Sequence, residues 1–195
     1  HRLALPFARL RAQGHLLDFG ADDLALDEAG VQALGERIGV STSPEERAAL
    51  RARTEGWPAA TYLALRSVAS PARGRQLIDF RGTEASVAEY MRSELLESLD
   101  PGTQWWLRRA SVLDVMNGPL CDAALGTTGS LARLRQLDAN NLFVNAIDGH
   151  REAFRFHRLF RDMLHDQLEE QEPGAAAEVN ARAAAWAAAH EAPEQ

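Results

Sequence analysis

The sequence predicts a mainly α-helical chain: a small helical unit, then a second unit that closes with a β-hairpin and another helix. Three observations carry that reading. Helix-start signals recur, as in Ser43-Pro44-Glu45-Glu46, Pro58 and Asp100-Pro101. Apolar residues repeat at helical spacing between them. Alternation with a period of two appears only in "NLFVNAI" and "EAFRFH".

Taken in order, Leu5 to Arg11 reads as a short helix, and "HLLDFGADDLAL" as a strand and a second extended piece, punctuated by Gly14 and Gly20. Asp27 is an N-cap candidate for a helix that puts Val31, Leu34 and Ile38 on one face and stops at Gly39. Ser43, Pro44 and Glu46 form a capping box with proline at the first helical position, and that helix runs to about Arg53. Gly56 ends it, and Pro58 opens the next helix, with Tyr62, Leu65 and Ala69 expected on one side.

Residues 71–83, rich in Pro, Gly and Arg, read as a linker between the two units. From about Glu84 to Leu99, Val87, Tyr90, Met91, Leu95 and Leu99 line one helical face, and Asp100-Pro101 starts another helix, containing Trp105, Trp106 and Leu107. A short helix from Pro119 to about Leu125 and a helix capped by Ser130, with Leu131, Leu134 and Leu137 inward, come next. The two period-two runs are joined by "DGHR", in which Asp148-Gly149 is a hairpin signal. Three helices and a hairpin wing make a winged-helix arrangement over 84–170, closed by a helix from about Arg158 to Glu170. An alanine-rich helix with Trp186 as its single large anchor falls within 171–195.

Composition narrows the function. With 46% hydrophobic and 25% charged residues, the 195-residue chain has a globular balance, and no apolar run approaches the ~20 residues that cross a bilayer. The single cysteine, Cys121, cannot pair within the chain, so a cytoplasmic setting is expected. The chain opens without Met and in mid-pattern, which points to a piece of a longer protein. All 21 basic residues are arginine, so a phosphate-binding loop with its obligatory lysine is not encoded here. No nucleophile elbow, paired cysteines or His-Glu-x-x-His motif occurs, and no catalytic residue, metal site or enzymatic activity is expected of the chain itself. His157, Asp162, His165 and Asp166 are better read as a solvated helix face than as metal ligands.

The net charge of −7 argues against a main grip on nucleic acid. Arg133, Arg135 and Gln136 would be the reading residues of a DNA-binding third helix, but Asp114, Asp122, Asp138 and Asp148 surround them. Two other readings stand beside regulation: a helical protein-interaction module and a direct DNA-binding winged-helix repressor. "EGWP" itself has a purely geometric account, with Gly56 permitting a left-handed helix end, Trp57 covering the joint and Pro58 pre-setting the next helix.

In order, "LPFARLRAQGHLLDFGADDLAL", "ARTEGWPAATYLAL", "VAEYMRSELLESL", "WLRRASVLDVMNGPLCDAALG" and "FRFHRLFRDML" resemble the large LuxR-type activators of the STAND class of P-loop ATPases, over nearly the whole chain. The resemblance implies that residues 1–70 hold the end of a nucleotide-binding domain and a helical lid, 84–170 a winged-helix domain, and 171–195 the start of a helical-repeat arm. It implies ADP or ATP as cofactor in the full-length protein, with none bound by this segment alone. Gly56, Trp57 and Pro58 match the family's Gly-x-Pro motif, whose proline packs on adenine. His157 matches a histidine that reaches the β-phosphate, with Arg158 standing where the family has Asp. The implied partners are the protein's own P-loop domain and helical-repeat sensor, and further copies of itself on activation, with no membrane and no direct DNA contact from this segment.

Overall fold

The computed structural model describes residues 7–17, 19–69, 77, 80 and 85–190. Eleven α-helices and one two-stranded sheet appear among them. The first unit comprises α1 (Phe7–Ala12), α2 (Ala21–Leu24), α3 (Glu28–Ile38), α4 (Pro44–Thr54) and α5 (Pro58–Ala69). Its cap chemistry follows the sequence. Asp27 accepts from the Gly30 N–H at 2.7 Å, Gly39 closes α3 in the left-handed region, and Ser43 and Glu46 exchange bonds across the start of α4. Val31, Leu50, Ala60, Ala64 and Leu65 are fully buried and pack α3, α4 and α5 together, as part of an apolar core that continues into the second unit.

Two expectations for this unit need correction. The second extended piece expected in "HLLDFGADDLAL" is the helix α2, started by a bond from the Gly20 N–H to Asp23, and no strand occurs among the described residues there; Asp18 lies outside them. Tyr62 and Ala69 are exposed, because the inward face of α5 is Ala60, Thr61, Ala64 and Leu65. Small side chains let α5 sit close to its neighbours, and spacing from the bulkier Tyr62 put the face about a third of a turn out of phase. The linker expected at 71–83 lies outside the described residues except for the buried Leu77 and Phe80.

The second unit contains α6 (Ala85–Met91), continued by a π-helical segment over Arg92–Leu96, then α7 (Pro101–Ala110), α8 (Gly118–Leu125) and α9 (Ser130–Ala139). After them come β1 (Val144–Ala146), β2 (Phe154–Phe156), α10 (Arg158–Gln171) and α11 (Ala175–His190). The single helical face expected from 84 to 99 is therefore interrupted. Met91 and Leu96 are buried on either side of the wide turn, while Tyr90 is exposed. Asp100 caps α7 through the Thr103 N–H, and Asn117 caps α8 through the Leu120 N–H. Ser130 is the first residue of α9 and not its cap: Gly129 occupies that position, Asp122 accepts from the Ser130 N–H, and the Ser130 hydroxyl accepts from the Trp106 indole.

β1 and β2 pair antiparallel with Val144 opposite Phe156. Met116 exchanges two 2.8 Å backbone bonds with Phe154, so β2 is flanked on both sides. In the wing loop the Asp148 carboxylate accepts from the N–H groups of Glu152 and Ala153, and Arg151 takes the left-handed conformation. Trp106, Met116, Leu134, Phe154, Leu159, Phe160, Met163 and Leu164 are almost wholly buried. Each large apolar side chain among them stabilises the unit by about 1.5–3 kcal/mol. Among the described residues no helix is long and apolar enough to cross a membrane.

Candidate functional site

Residues 54–58 and 155–158, some hundred positions apart, meet where the first unit touches the wing and the start of α10. Local geometry on the first side is set by two consecutive left-handed residues, Glu55 at φ 49° and Gly56 at φ 75°. Gly56 is doubly required. Its carbonyl accepts from the Leu26 N–H at 2.8 Å, and a Cβ there would lie 2.8 Å from the Leu26 carbonyl oxygen. That approach turns the chain sharply from α4 into α5 and fixes Trp57 at the corner. Pro58 supplies the first residue of α5, where a missing N–H costs nothing.

The buried Thr54 and Thr61 hydroxyls lie 3.1 Å apart and tie α4 to α5, Thr61 also donating to the Trp57 carbonyl. The Thr54 carbonyl accepts the Trp57 N–H at 2.8 Å and lies 3.0 Å from His157 Nε2. A carbonyl only accepts, so Nε2 carries the imidazole proton. Nδ1 is then a lone pair, buried and without a partner. Burial pulls the His157 pKa below its usual value, against the charge of Glu55 and the bond to Thr54, so the ring is neutral near pH 7.

Aromatic edges complete the joint. The Trp57 ring lies 4.8 Å from Phe143 in an edge-to-face arrangement, 5.8 Å from Tyr90 and 5.9 Å from His157, and Phe143 also meets His157 at 5.3 Å. The structure thus brings together Trp57 and His157, with Gly56 buried beneath Trp57. Pro58 and Arg158 adjoin them in the chain and are exposed.

Sequence reasoning missed Glu55. Its carboxylate holds the Arg155 guanidinium in a fork, Nη1 to Oε1 at 2.8 Å and Nη2 to Oε2 at 2.7 Å, and Oε1 also accepts from the Arg158 N–H at 3.0 Å. Burial raises the Glu55 pKa, but the bonds from Arg155 and from the Arg158 N–H outweigh it and hold the carboxylate below its usual range. The signal was present as an acid just before "GWP" and two arginines around "FRFHR", but nothing local linked them.

The other candidates resolve differently. Arg133 is half-buried with its guanidinium 5.6 Å from the Trp106 ring centre, Arg135 donates to the Arg151 carbonyl, and Arg151 pairs with Asp138. These contacts tie the arginines of α9 to protein groups. Among the described residues no group of His, Cys, Asp and Glu could hold a metal. Burial, helped by the charge of Asp122, pushes the Cys121 thiol up to about 12, so it is an inert core group.

Residues 92–176 match the family model of the MalT winged helix domain. The chain is 31% identical over 187 residues to serine/threonine-protein kinase PknK of Mycobacterium tuberculosis, covering 95% of this chain and 17% of that protein. It is 29% identical over 193 residues to the HTH-type transcriptional regulator MalT of Vibrio cholerae, covering 95% of this chain and 21% of that protein. MalT of Yersinia enterocolitica is 30% identical over 169 residues, covering 85% of this chain and 19% of that protein. The chain therefore spans about a fifth of the length of these relatives. Fold and matches together identify residues 92–176 as a winged helix domain of the MalT type, within a chain similar along most of its length to a MalT-like STAND regulator region.

Proposed function

We propose that this chain is the regulatory segment of an ATP-dependent transcriptional regulator. Its first unit and its winged helix domain close over ADP or ATP held by a P-loop domain outside this sequence, and that closure gates activation. The observation that supports this reading is the meeting of residues 54–58 with residues 155–158, which puts the Trp57 and His157 rings 5.9 Å apart. In this reading Pro58 offers a rigid ring to a flat purine, and His157, at the start of α10, faces the phosphates. The arm begun by α11 leads to a helical-repeat sensor, and opening frees surfaces for self-assembly.

The tautomer of His157 adds a condition. With its one proton committed to the Thr54 carbonyl, the neutral ring offers a phosphate only the Nδ1 lone pair. A phosphate contact therefore needs either proton uptake at Nδ1 or release of Nε2 from Thr54. Nucleotide binding and the joint are coupled through that exchange. The test is ADP titration by calorimetry of the protein extended to include a P-loop domain, with and without His157→Ala. The variant is expected to bind ADP more weakly and to raise basal transcription; equal ADP affinity would sink the reading.

A further inference from the structure

Glu55 is the second-to-last residue before Trp57, and it takes a left-handed conformation that a side chain disfavours. Glycine would relieve that conformation, as it does at the next position. A strained residue is kept where its side chain does something glycine cannot. Here the side chain spans a hundred positions of sequence: one carboxylate satisfies both arms of Arg155 on β2 and the first N–H of α10.

We propose that Glu55 is a latch that positions Trp57 and Pro58 against His157. Through the Glu55 carboxylate, the corner between α4 and α5 is tied to the wing on one side and to the start of α10 on the other. Other ties across this joint, among the described residues, include the Thr54–His157 bond and the edge contacts of Trp57 with Tyr90, Phe143 and His157. Edge contacts tolerate sliding, whereas a forked ion pair with a third bond fixes both distance and angle. Loss of the charge therefore loosens the corner while leaving the buried apolar core in place. The positional claim stands on these contacts; its consequence for nucleotide rests on the function proposed above.

The test is site-resolved hydrogen exchange on the 195-residue chain, comparing Glu55→Gln, Arg155→Gln and the double variant with the unaltered protein. Glutamine keeps the shape but turns an amide donor towards a guanidinium donor. Each single variant is expected to speed exchange at the Trp57 and Arg158 amides roughly tenfold, a joint-opening effect of about 1.4 kcal/mol, with the core amides of Trp106 and Leu134 unchanged. The double variant should fall short of the two single effects combined, since both changes remove the same ion pair. Unaltered exchange at Trp57 in Glu55→Gln overturns the proposal, and so does a uniform rise at all amides, which would mark general destabilisation. In the extended protein, Glu55→Gln should also weaken ADP binding severalfold. If that protein binds no ADP at all, the nucleotide reading fails, while the exchange result still decides the latch.

Discussion

The winged helix domain is held on two sides by joints of opposite character. Towards the first unit, apolar packing is joined by a neutral imidazole with an orphaned nitrogen, a forked ion pair open to solvent on one side, and aromatic edges. Towards α11, the contact is dense and apolar: Ala175, Ala176 and Val179 are buried, and α11 packs along α8. Arg109 fastens that second joint, donating from Nε and Nη2 to Glu172 at 3.0 and 2.7 Å while lying over Trp105 at 4.9 Å. Small side chains in close contact are lost only all together. Polar ties can be exchanged one for one with a ligand or with water. The first joint is therefore expected to yield before the second.

The comparison breaks most visibly at its rigid side. Val179→Asp puts an unpaired charge into a fully buried site and is expected to cost about 3 kcal/mol or more. Thermal unfolding should then show α11 melting ahead of the rest, and a single unchanged transition would contradict the assignment. Next comes Gly56→Ala, where a left-handed backbone and a 2.8 Å approach to the Leu26 carbonyl combine. A loss of about 1–3 kcal/mol is expected, with a shifted Trp57 emission spectrum. Glu55→Gln is milder, about 1 kcal/mol after solvent screening of the half-exposed Arg155, and its cost falls on opening of the joint, so chemical denaturation should show it on the first unit and not on the second.

Acid sharpens the contrast with the smallest effect. The His157 pKa lies below its unfolded value of 6.5, so the unfolded chain takes up the proton first. The stability that His157 contributes is complete above about pH 6.5 and declines as pH falls below it. The Glu55 pKa is likewise lowered from 4.5, so its contribution is present above that value and is lost as pH falls through the folded-state pKa. Trp57 fluorescence should respond first in the mildly acidic range, while the α8–α11 contact, which has no shifted carboxylate or imidazole among its buried residues, holds.

Much of the architecture was legible because its signals are local. Capping residues at Asp27, Ser43 and Asp100 act within one turn, and the switch to period two marks the wing without reference to anything distant. What escaped depends on neighbours that sequence spacing does not reveal. The burial of Thr61 in place of Tyr62 follows from how closely α4 approaches α5. The role of Glu55 follows from an arginine a hundred residues away. Ser130 looked like a cap because its residue type suits one, yet Asp122, across the turn, takes over that bond. Trp57 and His157 could be singled out individually, while their meeting is a property of the fold.

The wide turn over Arg92–Leu96 has one more effect. A π turn adds a residue to an α-helical turn, so everything after it is rotated by about 100° relative to an uninterrupted helix. Removing Ser93 would restore regular winding and swing Leu96 away from the interior that it now shares with Met91. The extra residue therefore works as a phase shifter: it lets one continuous rod present its apolar stripe first to the corner near Trp57 and then to the body of the winged helix domain.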